Sequence, residues 1–148
     1  MIGVIADMID DDAFSYSLFK SLNKISKSTD CYLFPMNFKK APIRNEFTIL
    51  QPVNALHHRG TLISTSLLNT QVLANSLQAK KRFFYLNDLD WRGLGTYHAE
   101  QLAFVTQTKD INLISRSKSH DIVISKMFKP TSGVVYNWDA DQLLKVIE

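Results

Sequence analysis

The residues best placed to do chemistry lie in two short runs. Asn87-Asp88-Leu89-Asp90-Trp91 sets two carboxylates and an indole directly after the apolar run Phe83-Phe84-Tyr85-Leu86. A carboxylate at the end of a buried strand, beside aromatic walls, can have its pKa raised toward the range in which it takes a proton from a hydroxyl. Asp88 and Asp90 are therefore candidate general bases, Trp91 a candidate stacking surface, and Tyr85 and Asn87 their neighbours. Against this stands the reading of an ordinary polar strand end with Trp91 as a lid on the core. The second run, Ser115-Arg116-Ser117-Lys118-Ser119-His120, gathers hydroxyls, cations and an imidazole. Arg116 and His120 could bind an anion or stabilise developing negative charge. The competing reading is a solvated strand-to-helix turn.

A third group, Asp7, Asp10, Asp11 and Asp12, could hold a divalent cation such as Mg²⁺, because hard cations take clustered oxygens. A phosphorylatable receiver would also need an acceptor Asp ending the third strand, where this chain runs into Gln51-Pro52. Helix capping is the better reading of these carboxylates. No Cys/His set has the spacing of a metal site, so no metal ligands are assigned. His57, His58 and His98 lack an acidic or Cys partner and read as surface or structural histidines. Cys31 falls in an apolar run and reads as a small buried hydrophobe.

The elements that must position these groups alternate along the chain. Ile2 to Ala6 is a β-branched strand, and Asp10 to Asp12 supply N-cap candidates for a helix with Phe14, Leu18, Leu22 and Ile25 on one face. Cys31 to Phe34 is a second strand, stopped by Pro35, and Phe47 to Leu50 a third. Thr61 to Thr65 is a fourth, after which Ser66 can cap a helix over 67–77. The aromatic run is the fifth strand, buried on both faces because it does not alternate. A helix over Tyr97 to Gln107, a strand at Ile111 to Ile114 and a helix capped by Ser117 or Ser119 follow. Val134 to Tyr136 and a helix capped by Asp139 close the pattern. Strand-helix alternation of this kind predicts an α/β fold, a Rossmann-like or flavodoxin-like three-layer sandwich with a mostly parallel sheet of about six to seven strands. In such sheets ligands bind at the carboxyl ends of the strands.

A length of 148 residues, 45% apolar and 21% charged, fits one soluble domain over 1–148 and excludes a disordered chain. The +3 charge favours approach of an anionic partner, but the cations are scattered rather than gathered in the stripe of a dedicated nucleic-acid binder. No apolar run approaches membrane-spanning length, and a single Cys with no secretion signal points to the cytoplasm. Dinucleotide and P-loop glycine motifs are missing, and the first strand-helix turn is acidic, which disfavours a phosphate there.

The order of segments resembles the N-terminal, acceptor-side domain of GT-B glycosyltransferases. The likeness runs through Leu18-Phe19-Lys20, Phe83-Phe84-Tyr85-Leu86-Asn87-Asp88, Leu113-Ile114-Ser115-Arg116-Ser117 and Val134-Val135-Tyr136-Asn137-Trp138-Asp139. Within that class, Tyr85-Leu86-Asn87-Asp88 and the Ile-Ser segment look like those of phage DNA β-glucosyltransferases. The resemblance implies a UDP-sugar donor, inversion by direct displacement, and Asp88 as the catalytic base. It implies Tyr85, Asn87, Asp90, Trp91, Arg116 and His120 around an acceptor that is DNA or another hydroxyl-bearing molecule. GT-B enzymes hold the donor mainly in a second Rossmann-like domain, so a donor-binding subunit, or a homo-oligomer, is the implied partner. A non-catalytic module binding protein or nucleic acid is the alternative from another class.

Overall fold

A computed structural model describes residues 1–87 and 96–148, with side chains throughout except those of residues 96–98. Asp88, Asp90 and Trp91, and the side chain of His98, lie outside the described residues. Among the described residues seven strands form one sheet: β1 (Ile2–Ile9), β2 (Cys31–Phe38), β3 (Thr48–Ile49), β4 (Thr61–Ser64), β5 (Lys81–Leu86), β6 (Ile111–Ser115) and β7 (Gly133–Val134). Among the described residues five α-helices accompany them: α1 (Ala13–Ile25), α2 (Thr70–Asn75), α3 (Thr96–Gln107), α4 (Lys118–Met127) and α5 (Ala140–Ile147). The strand order is β3-β2-β1-β4-β5-β6-β7, with every pairing parallel. This is the expected α/β architecture, a Rossmann-like sheet covered by helices. The order reverses between β1 and β4, which makes their carboxyl ends a topological switch point.

Two apolar layers follow from strand alternation. Val4, Ala6, Leu33, Phe83, Tyr85 and Ile114 face α1 and α5, meeting Leu18, Leu22 and Leu143. Ile5, Phe34, Leu62, Phe84 and Leu113 face the opposite layer, meeting Leu73, Leu102, Val105 and Ile124. The aromatic strand is buried at all four residues from Phe83 to Leu86, as expected of a strand covered on both sides.

Local signals fix most helix starts. Asp12 Oδ1 accepts the Ser15 N–H at 2.7 Å, Ser66 Oγ that of Leu68 at 3.2 Å, Ser117 Oγ that of His120 at 3.3 Å, and Asp139 Oδ1 that of Gln142 at 2.9 Å. Each satisfies a first-turn donor that has no partner inside its helix.

Three expectations need correction. β2 does not stop at Pro35 but runs to Phe38, paired with β1 as far as Ile9. Proline breaks a strand by removing a ladder donor, but β3 pairs only with Tyr32 and Leu33, so at Pro35 the outer side of β2 has no ladder to break. The helix expected over 67–77 is a 3₁₀ turn, Leu67–Asn69, followed by the short α2, because its apolar stripe is modest and Ser76 closes the turn onto the Val72 and Leu73 carbonyls. The last strand is only Gly133–Val134, and the chain then turns through Tyr136–Trp138 with Asn137 and Trp138 at positive φ, 45° and 57°. Two such non-glycine residues cost about 1–3 kcal/mol each. The corner brings Trp138 into the core, its ring 4.6 Å from Tyr85 and 6.2 Å from Phe14.

Candidate functional site

Leu86 and Ser115 are the last paired residues of β5 and β6, so Asn87 and Arg116 are where these strands leave the sheet. Arg116 Nη1 donates to the Asn87 carbonyl at 2.8 Å, joining the two strand ends. Arg116 is exposed and Asn87 half-buried, so both belong to the carboxyl rim. His120, half-buried, sits one turn into α4 on the same side of the sheet edge, its N–H held by Ser117. The strand-to-helix turn that carries these groups is built by hydroxyls. Ser117 Oγ and Ser119 Oγ lie 3.0 Å apart, and Asp121 Oδ1 accepts from Ser115 Oγ at 3.4 Å, Ser125 Oγ at 3.5 Å and Thr131 Oγ1. Asp121 thereby ties the end of β6, α4 and the approach to β7. Sequence reasoning missed this carboxylate. The available signal was Asp four residues before Ser125, one helical turn away.

Tyr85 is not on the rim. It is 1% exposed, and its hydroxyl donates to the Val135 carbonyl at 2.9 Å inside the core. Alternation along β5 turns its ring toward α1 and Trp138, which removes it from the wall of an acceptor site and makes it a clamp between β5 and the chain after β7.

The acidic turn after β1 is occupied by the fold itself. Asp12 caps α1, Asp10 pairs with Lys39 at 3.4 Å, and Asp11 pairs with Lys40 at 2.9 Å. The Asp11 N–H, donating to Asp10 Oδ1 at 2.8 Å, holds the Asp10 carboxyl below its usual value, and Lys39 adds to this. These lysines reach the turn after β1 because β2 continues past Pro35 to Phe38, paired with β1 as far as Ile9. Among the described residues no three His, Cys, Asp or Glu side chains gather as a metal ion would need.

Two further groups expected to be structural are so. His58 is 6% exposed, 3.1 Å from the Thr61 carbonyl through Nε2, and flanked by the Tyr32 and Phe34 rings. Burial pushes its pKa down. A Cβ on Gly3 would lie 2.8 Å from Phe34 Cε2 and 3.1 Å from the His58 ring, so any larger residue there must push these rings aside. Cys31 is buried, and desolvation pushes its thiol up to about 11, out of reach of nucleophilic chemistry near neutral pH. At the opposite, amino edge of the sheet, Arg59, Gly60, Thr61, Lys80 and Lys81 line a cleft beside Met1, and Lys81 donates to the Ile147 carbonyl at 2.9 Å.

The fold and edge define a parallel α/β domain with a polar carboxyl rim. No family model matches the chain, and no curated protein and no solved structure matches it either. Among the described residues no helix is long and apolar enough to cross a membrane.

Proposed function

We propose that this chain is the acceptor-binding half of a sugar-nucleotide-dependent glycosyltransferase of the GT-B kind, working with a donor-binding Rossmann-like subunit. Asp88 takes the proton of the acceptor hydroxyl, and the acceptor oxygen attacks the anomeric carbon as the nucleoside diphosphate leaves from the opposite face, inverting that centre. Asn87, Asp90 and Trp91 border the acceptor, and His120 faces its oxygens. The observation that supports this reading best is the meeting of Asn87 and Arg116 at the carboxyl rim of a parallel sheet, immediately before Asp88 in the chain. That rim is where α/β sheets hold ligands.

The test is purification of the tagged chain from its native host with whatever binds it, followed by a transfer assay with labelled UDP-sugars on the complex. Transfer that needs a donor-binding partner supports the reading. Capture of a protein or DNA by a complex that transfers nothing would refute it in favour of a non-catalytic binding module.

A further inference from the structure

The amino edge of the sheet, opposite the carboxyl rim, gathers positive charge in a hollow. Thr61 and Lys81 pair at the starts of β4 and β5, so Gly60 and Lys80 lie side by side just before them, and the Lys80 N–H donates to the Gly60 carbonyl at 3.0 Å. The Thr61 N–H donates to the Met1 carbonyl at 3.1 Å, which brings the start of the chain against the same turn. A Cβ on Gly60 would collide with that carbonyl, so the missing side chain lets the two segments meet and leaves main chain in the cleft lining. The cleft has a volume of about 430 Å³ and is lined by Met1, Arg59, Gly60, Thr61, Lys80 and Lys81. That volume falls within the range of about 300–1,000 Å³ typical of small-molecule sites.

Every ionisable side chain on this lining is cationic. Lys81 is committed to the end of α5, where its Nζ donates to the carbonyls of Ile147, at 2.9 Å, and Glu148. Arg59 and Lys80 are both exposed, and among the described residues neither meets a carboxylate, unlike Lys24, Lys39, Lys40 and Arg82. Arg59 Nε donates to Gln78 Oε1 at 3.3 Å, which orients the guanidinium and leaves its Nη nitrogens for a ligand. Cations of one sign around a hollow raise the local concentration of anions. Arg59 offers paired donors in a planar fork and Lys80 a point charge. A carboxylate has two oxygens, which the fork alone would occupy, whereas a phosphoryl group has three and can meet both side chains. Holding a nucleic-acid backbone takes a stripe of cations rather than two.

We propose that this cleft at the amino edge is a binding site for the phosphoryl group of a small molecule, with Arg59 and Lys80 holding its oxygens and Gly60 giving it access to the main chain. The site is separate from the carboxyl rim, so it stands or falls independently of the transferase reading. Lys118, an exposed cation on α4, serves as the control for charge alone.

The experiment is an NMR titration of the isotope-labelled full chain with inorganic phosphate at constant ionic strength, chloride being the replaced anion. Wild type is expected to show saturable shifts confined to the amides of Gly60, Thr61, Lys80 and Lys81. Arg59→Gln and Lys80→Gln should each weaken the apparent affinity by about tenfold, the loss of one charge-assisted hydrogen bond, while Lys118→Gln leaves it unchanged. Arg59→Lys should recover part of the affinity, since it keeps the charge and loses the fork. Shifts that grow without saturating, that chloride reproduces, or that spread over the whole surface overturn the proposal, as does an equal effect of Lys118→Gln. The wild-type titration alone decides this even if a variant fails to fold. A parallel titration with a short single-stranded oligonucleotide separates the remaining source of phosphate: a response at the cleft to the oligonucleotide with none to inorganic phosphate overturns the small-molecule site in favour of a polyanion.

Discussion

Replacing Tyr85 with Phe separates its two assignments, wall of a ligand site or clamp of the core. The ring stays and only the hydroxyl goes, so packing against Trp138 at 4.6 Å is retained while the 2.9 Å bond to the Val135 carbonyl is lost. Tyr85 and Val135 are both buried, at 1% and 0% exposure, so water cannot replace the missing donor. A net hydrogen bond is worth about 0.5–1.5 kcal/mol, and a buried acceptor left without its donor costs about 1–3 kcal/mol. Phe at this position should therefore destabilise the protein by about 2 kcal/mol. For a chain of this length that lowers the thermal midpoint by roughly 4–8 °C. Urea unfolding is the assay: the midpoint should fall while the slope stays constant, because the surface exposed on unfolding hardly changes. Ala at the same position also leaves a cavity beside Trp138 and should cost about 3–5 kcal/mol. A Phe variant within about 0.3 kcal/mol of wild type, below what any net hydrogen bond is worth, would refute the clamp.

Other outcomes follow from the same geometry. Gly3→Ala should destabilise by about 1–3 kcal/mol in equilibrium unfolding, since the new Cβ would press on Phe34, itself buried, and on His58; an unchanged unfolding midpoint would show that the rings can move aside. Because burial lowers the His58 pKa, the unfolded chain binds that proton first. Stability should therefore be complete above the ordinary histidine value of about 6.5 and fall as pH drops below it, with the loss ending once the folded pKa is passed. Denaturation midpoints from pH 8 to 5, compared with those of His58→Gln, check this, and identical profiles would exclude His58 as the source. In a complex with transfer activity, Asp88→Asn should lower turnover by about a hundredfold or more with little change in stability, and unchanged turnover would remove Asp88 from the mechanism.

Much of the framework was legible in the sequence because it is written in local chemistry. Asp12, Ser66, Ser117 and Asp139 cap helices or turns as their positions before apolar stripes imply, and the uninterrupted run Phe83 to Leu86 announces a strand covered on both faces. What could not be read depends on neighbours distant in the chain. Pro35 is tolerated within β2 only because β3 is two residues long, a fact that no property of 31–38 contains. Tyr85 could be placed in a buried strand, but the partner of its hydroxyl lies 50 residues away, after a left-handed corner with no glycine at Asn137 or Trp138 to announce it. His57 and His58 look alike in sequence, and only the approach of Tyr32 and Phe34 buries the second. Of the candidate site, the association of Asn87 with Arg116 follows from parallel pairing of β5 and β6. That the arginine grips a main-chain oxygen is a matter of side-chain reach, which spacing does not encode.

The two-residue strands β3 and β7 also bear on how the protein behaves in a crowded solution. A parallel sheet with long bare margins would offer a row of unpaired N–H and C=O groups on which a second molecule could build. Here β3 and β7 present only Thr48–Ile49 and Gly133–Val134 to such a strand. Where β2 runs on past β3 with Met36 and Phe38 exposed, Pro35 withholds a donor at one end and Lys39 and Lys40 add charge at the other. Pro35, Lys39 and Lys40 thus stand where gatekeeper residues oppose edge-to-edge stacking.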